Sequence, residues 1–147
     1  MAPGVDLVAV SKTHPVEALQ AAYNAGQRIF GENKVQEMTM KQALLPNDIE
    51  WHFIGHVQRN KIKMMAPYVS VIQGVDNFEK LLEIDKQAKK YDRNIKCLLQ
   101  IHIAAEDTKF GFSPEECLQM LATTPWRELT NITIAGVMGM ASFTDNA

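Results

Sequence analysis

Lys12 stands just beyond the apolar run Val5-Asp6-Leu7-Val8-Ala9-Val10, where the end of a strand would hold its amine in one place. An amine partly stripped of water there shifts toward its neutral form, the form that condenses with an aldehyde into a Schiff base. On position alone, the more frequent arrangement is a lysine that snorkels past the strand into solvent. Gly31-Glu32-Asn33-Lys34 follows the next apolar pair, Ile29-Phe30. The glycine permits a sharp turn, and Asn33 either meets the edge of a ligand with its amide or caps the helix that follows. His52 and His56 lie four apart, which is ligand spacing on a helix, but Gly55 interrupts a strand here and no third ligand is near, so zinc is not expected. His56 is expected to line the same mouth or to bond to backbone. Met138-Gly139-Met140, after the last apolar run, offers a flat surface to an aromatic ring or else packs in a core. Arg59, Lys61 and Lys63 read as a solvated helix face. No GxSxG elbow and no cysteine beside a histidine supports a nucleophilic hydrolase.

The elements that must carry these residues alternate in type. The apolar run at 5–10 reads as a strand covered on both faces. Pro15 opens a helix whose apolar positions, Val16, Leu19, Ala22 and Tyr23, recur at helical spacing until Gly26. A strand at Ile29-Phe30 ended by Gly31, a helix from Val35 to Leu45, a strand over Trp51 to Ile54 and a helix over Arg59 to Ala66 follow. The pattern continues with a strand at Val69 to Ile72, a helix carrying Phe78, Leu81, Leu82, Ile84 and Ala88, and a strand over Ile95 to Ile103. A helix opened by Ser113-Pro114-Glu115-Glu116 and a strand over Ile132 to Val137 complete it. Strand and helix in turn, with short connections, imply right-handed crossovers and parallel strands.

Two α/β architectures fit: an open doubly wound sheet or part of a TIM (β/α) barrel. A dinucleotide-binding open sheet carries GxGxxG after its first strand, and here that turn is Ser11-Lys12-Thr13-His14-Pro15. The polar residues favour the barrel, because Lys12, Glu32, Asn33, His56, Glu106, Lys109 and the stretch from Met138 to Ser142 all follow strand ends, where a barrel gathers its site. A complete barrel needs roughly 250 residues. The 147 residues present are therefore expected to form one domain, 1–147, of about six β/α units, apparently truncated.

Composition narrows the function classes. Fifteen Lys and Arg against 17 Asp and Glu leave a net charge of -2, too little positive charge for a general phosphate-backbone binder, so nucleic acid is not an expected partner. No apolar run approaches a membrane span, and the N-terminus has no signal-peptide pattern, so a cytoplasmic location is expected. Cys97 and Cys117 lie in apolar stretches without CxxC spacing and read as buried thiols.

Five stretches, taken in order, resemble the pyridoxal phosphate homeostasis protein family, the YggS/PROSC group, whose barrel is similar to the N-terminal domain of alanine racemase. They are Leu7-Val8-Ala9-Val10-Ser11-Lys12-Thr13-His14-Pro15, Phe30-Gly31-Glu32-Asn33-Lys34-Val35-Gln36-Glu37, Trp51-His52-Phe53-Ile54-Gly55-His56-Val57-Gln58-Arg59-Asn60-Lys61, Thr108-Lys109-Phe110-Gly111-Phe112 and Gly136-Val137-Met138-Gly139-Met140-Ala141-Ser142. The resemblance implies that Lys12 carries pyridoxal 5'-phosphate as an internal aldimine. It also implies that Asn33 lies close to the cofactor ring, that the turn around Met138 and Met140 flanks it, and that His56 and Lys109 share the mouth. It further implies a role in intracellular cofactor homeostasis without a catalytic activity of its own. The alternative is a barrel enzyme with Schiff-base chemistry, racemase-like or aldolase-like. In the family a helix precedes the first strand, and the turns that cradle the cofactor phosphate follow later strands. On this reading the chain lacks both, is expected to hold the cofactor weakly or only through the covalent bond, and is prone to self-association. A complete family member is expected to be a monomer or weak dimer.

Overall fold

The computed structural model describes residues 6–102 and 111–139. The alternation becomes β1 (Ala9–Val10), α1 (Val16–Asn24), β2 (Ile29–Glu32), α2 (Val35–Leu44), β3 (Glu50–Phe53), and a 3-10 turn (Arg59–Lys61) running into α3 (Ile62–Met65). It continues with β4 (Val71–Val75), α4 (Phe78–Lys90), β5 (Ile95–Ile101), α5 (Pro114–Thr123), a second 3-10 turn (Trp126–Glu128) and β6 (Ile132–Gly139). All the strand pairs are parallel and the sheet order is β1-β2-β3-β4-β5-β6. Each strand lies beside its predecessor, so the order never reverses. A doubly wound sheet reverses at its switch point, and its absence among the described strands leaves an arc of a (β/α) barrel.

Strand alternation divides each strand between two faces. Phe30, Trp51, Phe53, Ile72, Cys97 and Leu99 are buried, and pack with Leu19, Met38, Ile62, Leu81, Ile84 and Cys117 of the helices in one core. Phe30 and Trp51, level with one another in β2 and β3, meet as tilted rings 6.0 Å apart. The helices form for local reasons as well. The Asn77 side chain accepts the Lys80 N–H at 2.9 Å to start α4, whose buried Leu81, Ile84 and Ala88 recur one or two turns apart. Ser113 and Glu116 exchange bonds at 3.1 and 2.9 Å in a capping box that opens α5. Both cysteines are buried free thiols, and burial pushes Cys97 up to about 12. No helix among the described residues is long and apolar enough to cross a membrane.

Several boundaries differ from the expectation. The first strand is paired only over Ala9–Val10, although residues 5–10 all read as strand; residues 1–5 lie outside the described part. Gly31 does not end β2, which runs on to Glu32. A Cβ on Gly31 would meet Val8 at 3.0 Å and Ile54 at 3.2 Å, so the glycine is a point of close packing within the sheet. The fourth strand is shifted from 69–72 to Val71–Val75, because Val69 still donates its N–H to the Met65 carbonyl in the turn that ends α3. Arg93 secures that turn by donating to the Ala66 and Val69 carbonyls, each at 2.8 Å. The single helix expected over 59–66 begins as a 3-10 turn. Strand five ends at Ile101, and β6 extends two residues further than expected, to Gly139.

Candidate functional site

Lys12, Asn33 and His56 follow the carboxyl ends of β1, β2 and β3, and Met138 is the second-last residue of β6. Val10 is level with Gly31, and Gly31 with His52. Ser11 N–H closes the first of these pairs by donating to the Gly31 carbonyl, and Ile54 N–H donates to the Glu32 carbonyl where β2 and β3 end. Lys12, in the turn after β1, and Asn33, just past the end of β2, each lie two positions beyond the paired Val10 and Gly31. Ser11 is buried, and Lys12, which follows it in the turn, is exposed. Asn33 is half-buried, and the cap position of α2 falls on Lys34 with no side-chain bond, so Asn33 does not cap that helix.

A cleft of about 220 Å³ opens between the start of α2 and the segment after β3, lined by Asn33, Lys34, Gln36, His56, Gln58 and Lys61 among others; Lys12 does not line it. After β3 the chain passes directly against Asn33 at Gly55. A Cβ at Gly55 would lie 2.5 Å from the Asn33 carbonyl oxygen and 2.9 Å from its Cα. His56 follows, with Nδ1 3.8 Å from Asp76 Oδ2, and Lys80 Nζ holds the other oxygen of Asp76 at 2.6 Å. Burial, and secondarily the Lys80 charge, push His56 below its ordinary value and favour its neutral form. Met138 is half-buried in β6, level with Gln100 of β5. Met140, Glu106, Lys109 and Ser142 lie outside the described residues.

Beneath Lys12 is a charged cluster that sequence reasoning did not pick out. Lys41 of α2 and Glu32 of β2 are 2% and 0% exposed. The Lys41 ammonium donates to the Ser11 carbonyl at 2.8 Å, to Glu32 Oε2 at 2.9 Å and to Glu37 Oε1 at 3.0 Å. Ser11 Oγ donates to the same oxygen of Glu32, and Glu32 Oε1 is buried with no hydrogen-bond partner among the described residues. Burial raises the Glu32 carboxyl above its ordinary value, against the opposing pull of Ser11 and Lys41. Glu37 is held at about 2, first by the Thr13 N–H it accepts at 2.9 Å and then by Lys41. The signal available was the i,i+4 spacing of Glu37 and Lys41 on a helix, which ordinarily marks an exposed pair.

The turn after β1 is strained. His14 N–H closes it onto the Ser11 carbonyl at 3.1 Å, and Thr13, its third residue, has φ of 65°. That position normally takes glycine, and a β-branched residue there is an outlier. His52 and His56 do not form a metal pair: His52 Nδ1 meets Gln73 at 3.1 Å inside the arc, while His56 stands at the rim. Among the described residues no cluster of three His, Cys, Asp or Glu is placed to hold a metal.

Known proteins share this sequence family and fold. The model of the family described as alanine racemase, N-terminal domain, matches residues 1–147. A pyridoxal phosphate homeostasis protein of Schizosaccharomyces pombe is 34% identical over 142 residues, which cover 95% of this chain and 59% of the relative. The solved structure of PipY from Synechococcus elongatus PCC7942 with pyridoxal phosphate bound superposes with a TM-score of 0.85 at 35% identity, covering 98% of this chain and 66% of that one. An alanine racemase of Clostridium difficile 630 shares the fold, with a TM-score of 0.72 at 15% identity over 95% of this chain and 36% of that one. The chain thus spans about three fifths of the length of the curated relatives it matches.

Proposed function

The chain belongs to the alanine racemase N-terminal domain family, in the group of the pyridoxal phosphate homeostasis proteins, and from that premise we propose that it binds pyridoxal 5'-phosphate covalently through Lys12. The observation that carries this reading is the place of Lys12 and Asn33, each two positions past the paired Val10 and Gly31 and so beyond the carboxyl ends of adjacent parallel strands, where a barrel places its ligands. When bound, the cofactor supplies an aldehyde whose carbon forms a double bond to a lysine nitrogen with loss of water. The residues present fit the ring end of such a group. Lys12 offers an amine, Asn33 an amide that both donates and accepts, His56 an imidazole whose neutral form is favoured, and Met138 a thioether. A relative with pyridoxal phosphate bound in its structure supports the same assignment.

The role that fits is storage and transfer of the cofactor, without a reaction of its own. Racemisation at an α-carbon needs an acid and a base on opposite faces. Lys12 supplies one face. The names of the curated relatives, which speak of homeostasis, support this carrier reading.

The test is an absorption titration with pyridoxal phosphate. A saturable band near the visible edge is expected in the protein and absent in Lys12→Ala. An unchanged band in the variant would overturn Lys12 as the site, and interconversion of alanine enantiomers above background would overturn the carrier role.

A further inference from the structure

We propose that Lys41 is a positioning residue for Lys12: a single buried ammonium on α2 fixes both peptide groups that bracket Lys12, and so determines where its amine leaves the strand. The inference rests on the reading of Lys12 as the cofactor-bearing amine. The peptide before Lys12 is held directly, through the Ser11 carbonyl 2.8 Å from Lys41 Nζ. The peptide after it is held at one remove. Thr13 N–H donates to Glu37 Oε1 at 2.9 Å, and Lys41 donates to that same oxygen at 3.0 Å. The third proton of the ammonium goes to Glu32, so all of its donors are spent inside the protein.

Stability alone does not account for this choice of residues. Replacing a buried ion cluster by apolar side chains of similar volume is often neutral or stabilising, so a lysine here is weak evidence of a stabilising device. What the cluster does that an apolar core cannot is dictate a backbone conformation. Thr13 at φ 65° is held in a region that a β-branched residue leaves unless its surroundings over-determine it. The surroundings do so: Glu37 takes its N–H, and its own hydroxyl donates to the Lys12 carbonyl at 2.6 Å. The groups facing Lys41 are Glu37 on its own helix and Ser11 and Glu32 from the sheet; Tyr68, bonded to Thr39 at 2.8 Å, feels the Glu32 charge.

The test compares the unsubstituted protein with Lys41→Met and Glu37→Met. Glu37 is partly exposed, and its substitution releases Thr13 without opening the buried Glu32–Lys41 contact, so folding is retained there even if Lys41→Met fails to fold. Two readouts are taken: the rate at which pyridoxal phosphate and borohydride label Lys12 relative to Lys34, and amide exchange at Thr13 in cofactor-free protein. Labelling of Lys12 is expected to slow roughly tenfold or more in each folded variant, as for a reacting group displaced from its fixed geometry. Lys34 should be unaffected, and Thr13 exchange should accelerate. A folded Glu37→Met that labels Lys12 at the original rate overturns the inference while leaving the proposed function intact. If the unsubstituted protein is never labelled at Lys12, the proposed function falls; unchanged Thr13 exchange in Glu37→Met would then overturn the backbone hold as well.

Discussion

Lys41→Met removes the cation from a cluster that otherwise keeps two carboxyl groups, and the cost can be worked from the contacts. Each acceptor that loses Lys41 retains another donor. The Ser11 carbonyl keeps His14 N–H, Glu37 Oε1 keeps Thr13 N–H, and Glu32 Oε2 keeps Ser11 Oγ. The main loss is therefore the countercharge of Glu32, which has no exposed surface and whose other oxygen already lacks a partner among the described residues. Removing one partner of a buried pair costs about 3–5 kcal/mol. In a domain of this size that corresponds to a fall in Tm of roughly 6–20 °C. The cost depends on pH with a definite sign. The folded-state value of Glu32 is already above its unfolded one, so the folded state binds the extra proton and loses stability as pH rises from about 4.5 through the folded value. Without Lys41 that value rises further, and the penalty should be larger at pH 8 than at pH 5. Urea denaturation at both values reads this, with Glu32→Leu/Lys41→Met as the control expected to recover most of the loss. A single variant as stable as the parent, or a double variant no better than the single, would refute the electrostatic account.

Gly55→Ala should destabilise by about 1–3 kcal/mol in urea denaturation, because the new methyl would press on the Asn33 backbone from 2.5 Å. A cost near zero would show that the rim is not close-packed there. Ser113→Ala should lose about 1 kcal/mol through the capping box of α5, again by denaturation. β1 and β6 are each paired on one side among the described residues, and Val10 and Val137 are 51% and 63% exposed on them. Sedimentation should therefore find this 147-residue chain self-associating at micromolar concentration, and a sharply melting monomer would contradict that.

The barrel arc was legible because the hydrophobic pattern changes period at every element and polar residues recur at strand ends. Three features were less so. The start of β4 lies where Val69 reads as strand by type but is claimed by the turn after α3, a contact made by Met65 and Arg93 that residue type does not reveal. Gly31 reads as a terminator, yet it is required inside β2 by the side chains of Val8, just before β1, and Ile54, just after β3. The site divides in the same way. That Lys12, Asn33 and His56 follow strand ends was legible from the alternation of elements. Lys41 was not, since α2 buries it while exposing the apolar Met40 and Leu44, the reverse of what residue type suggests, and only the fold brings Glu32 and Ser11 against it.

The most direct measurement is peptide mass spectrometry after pyridoxal phosphate, at a concentration equal to that of the protein, has been fixed by borohydride. A phosphopyridoxyl mass on the peptide holding Ser11-Lys12-Thr13, with Lys34 and Lys61 unmodified, is the predicted result. An adduct on Lys34 or Lys61 with Lys12 bare would contradict the assignment of the site.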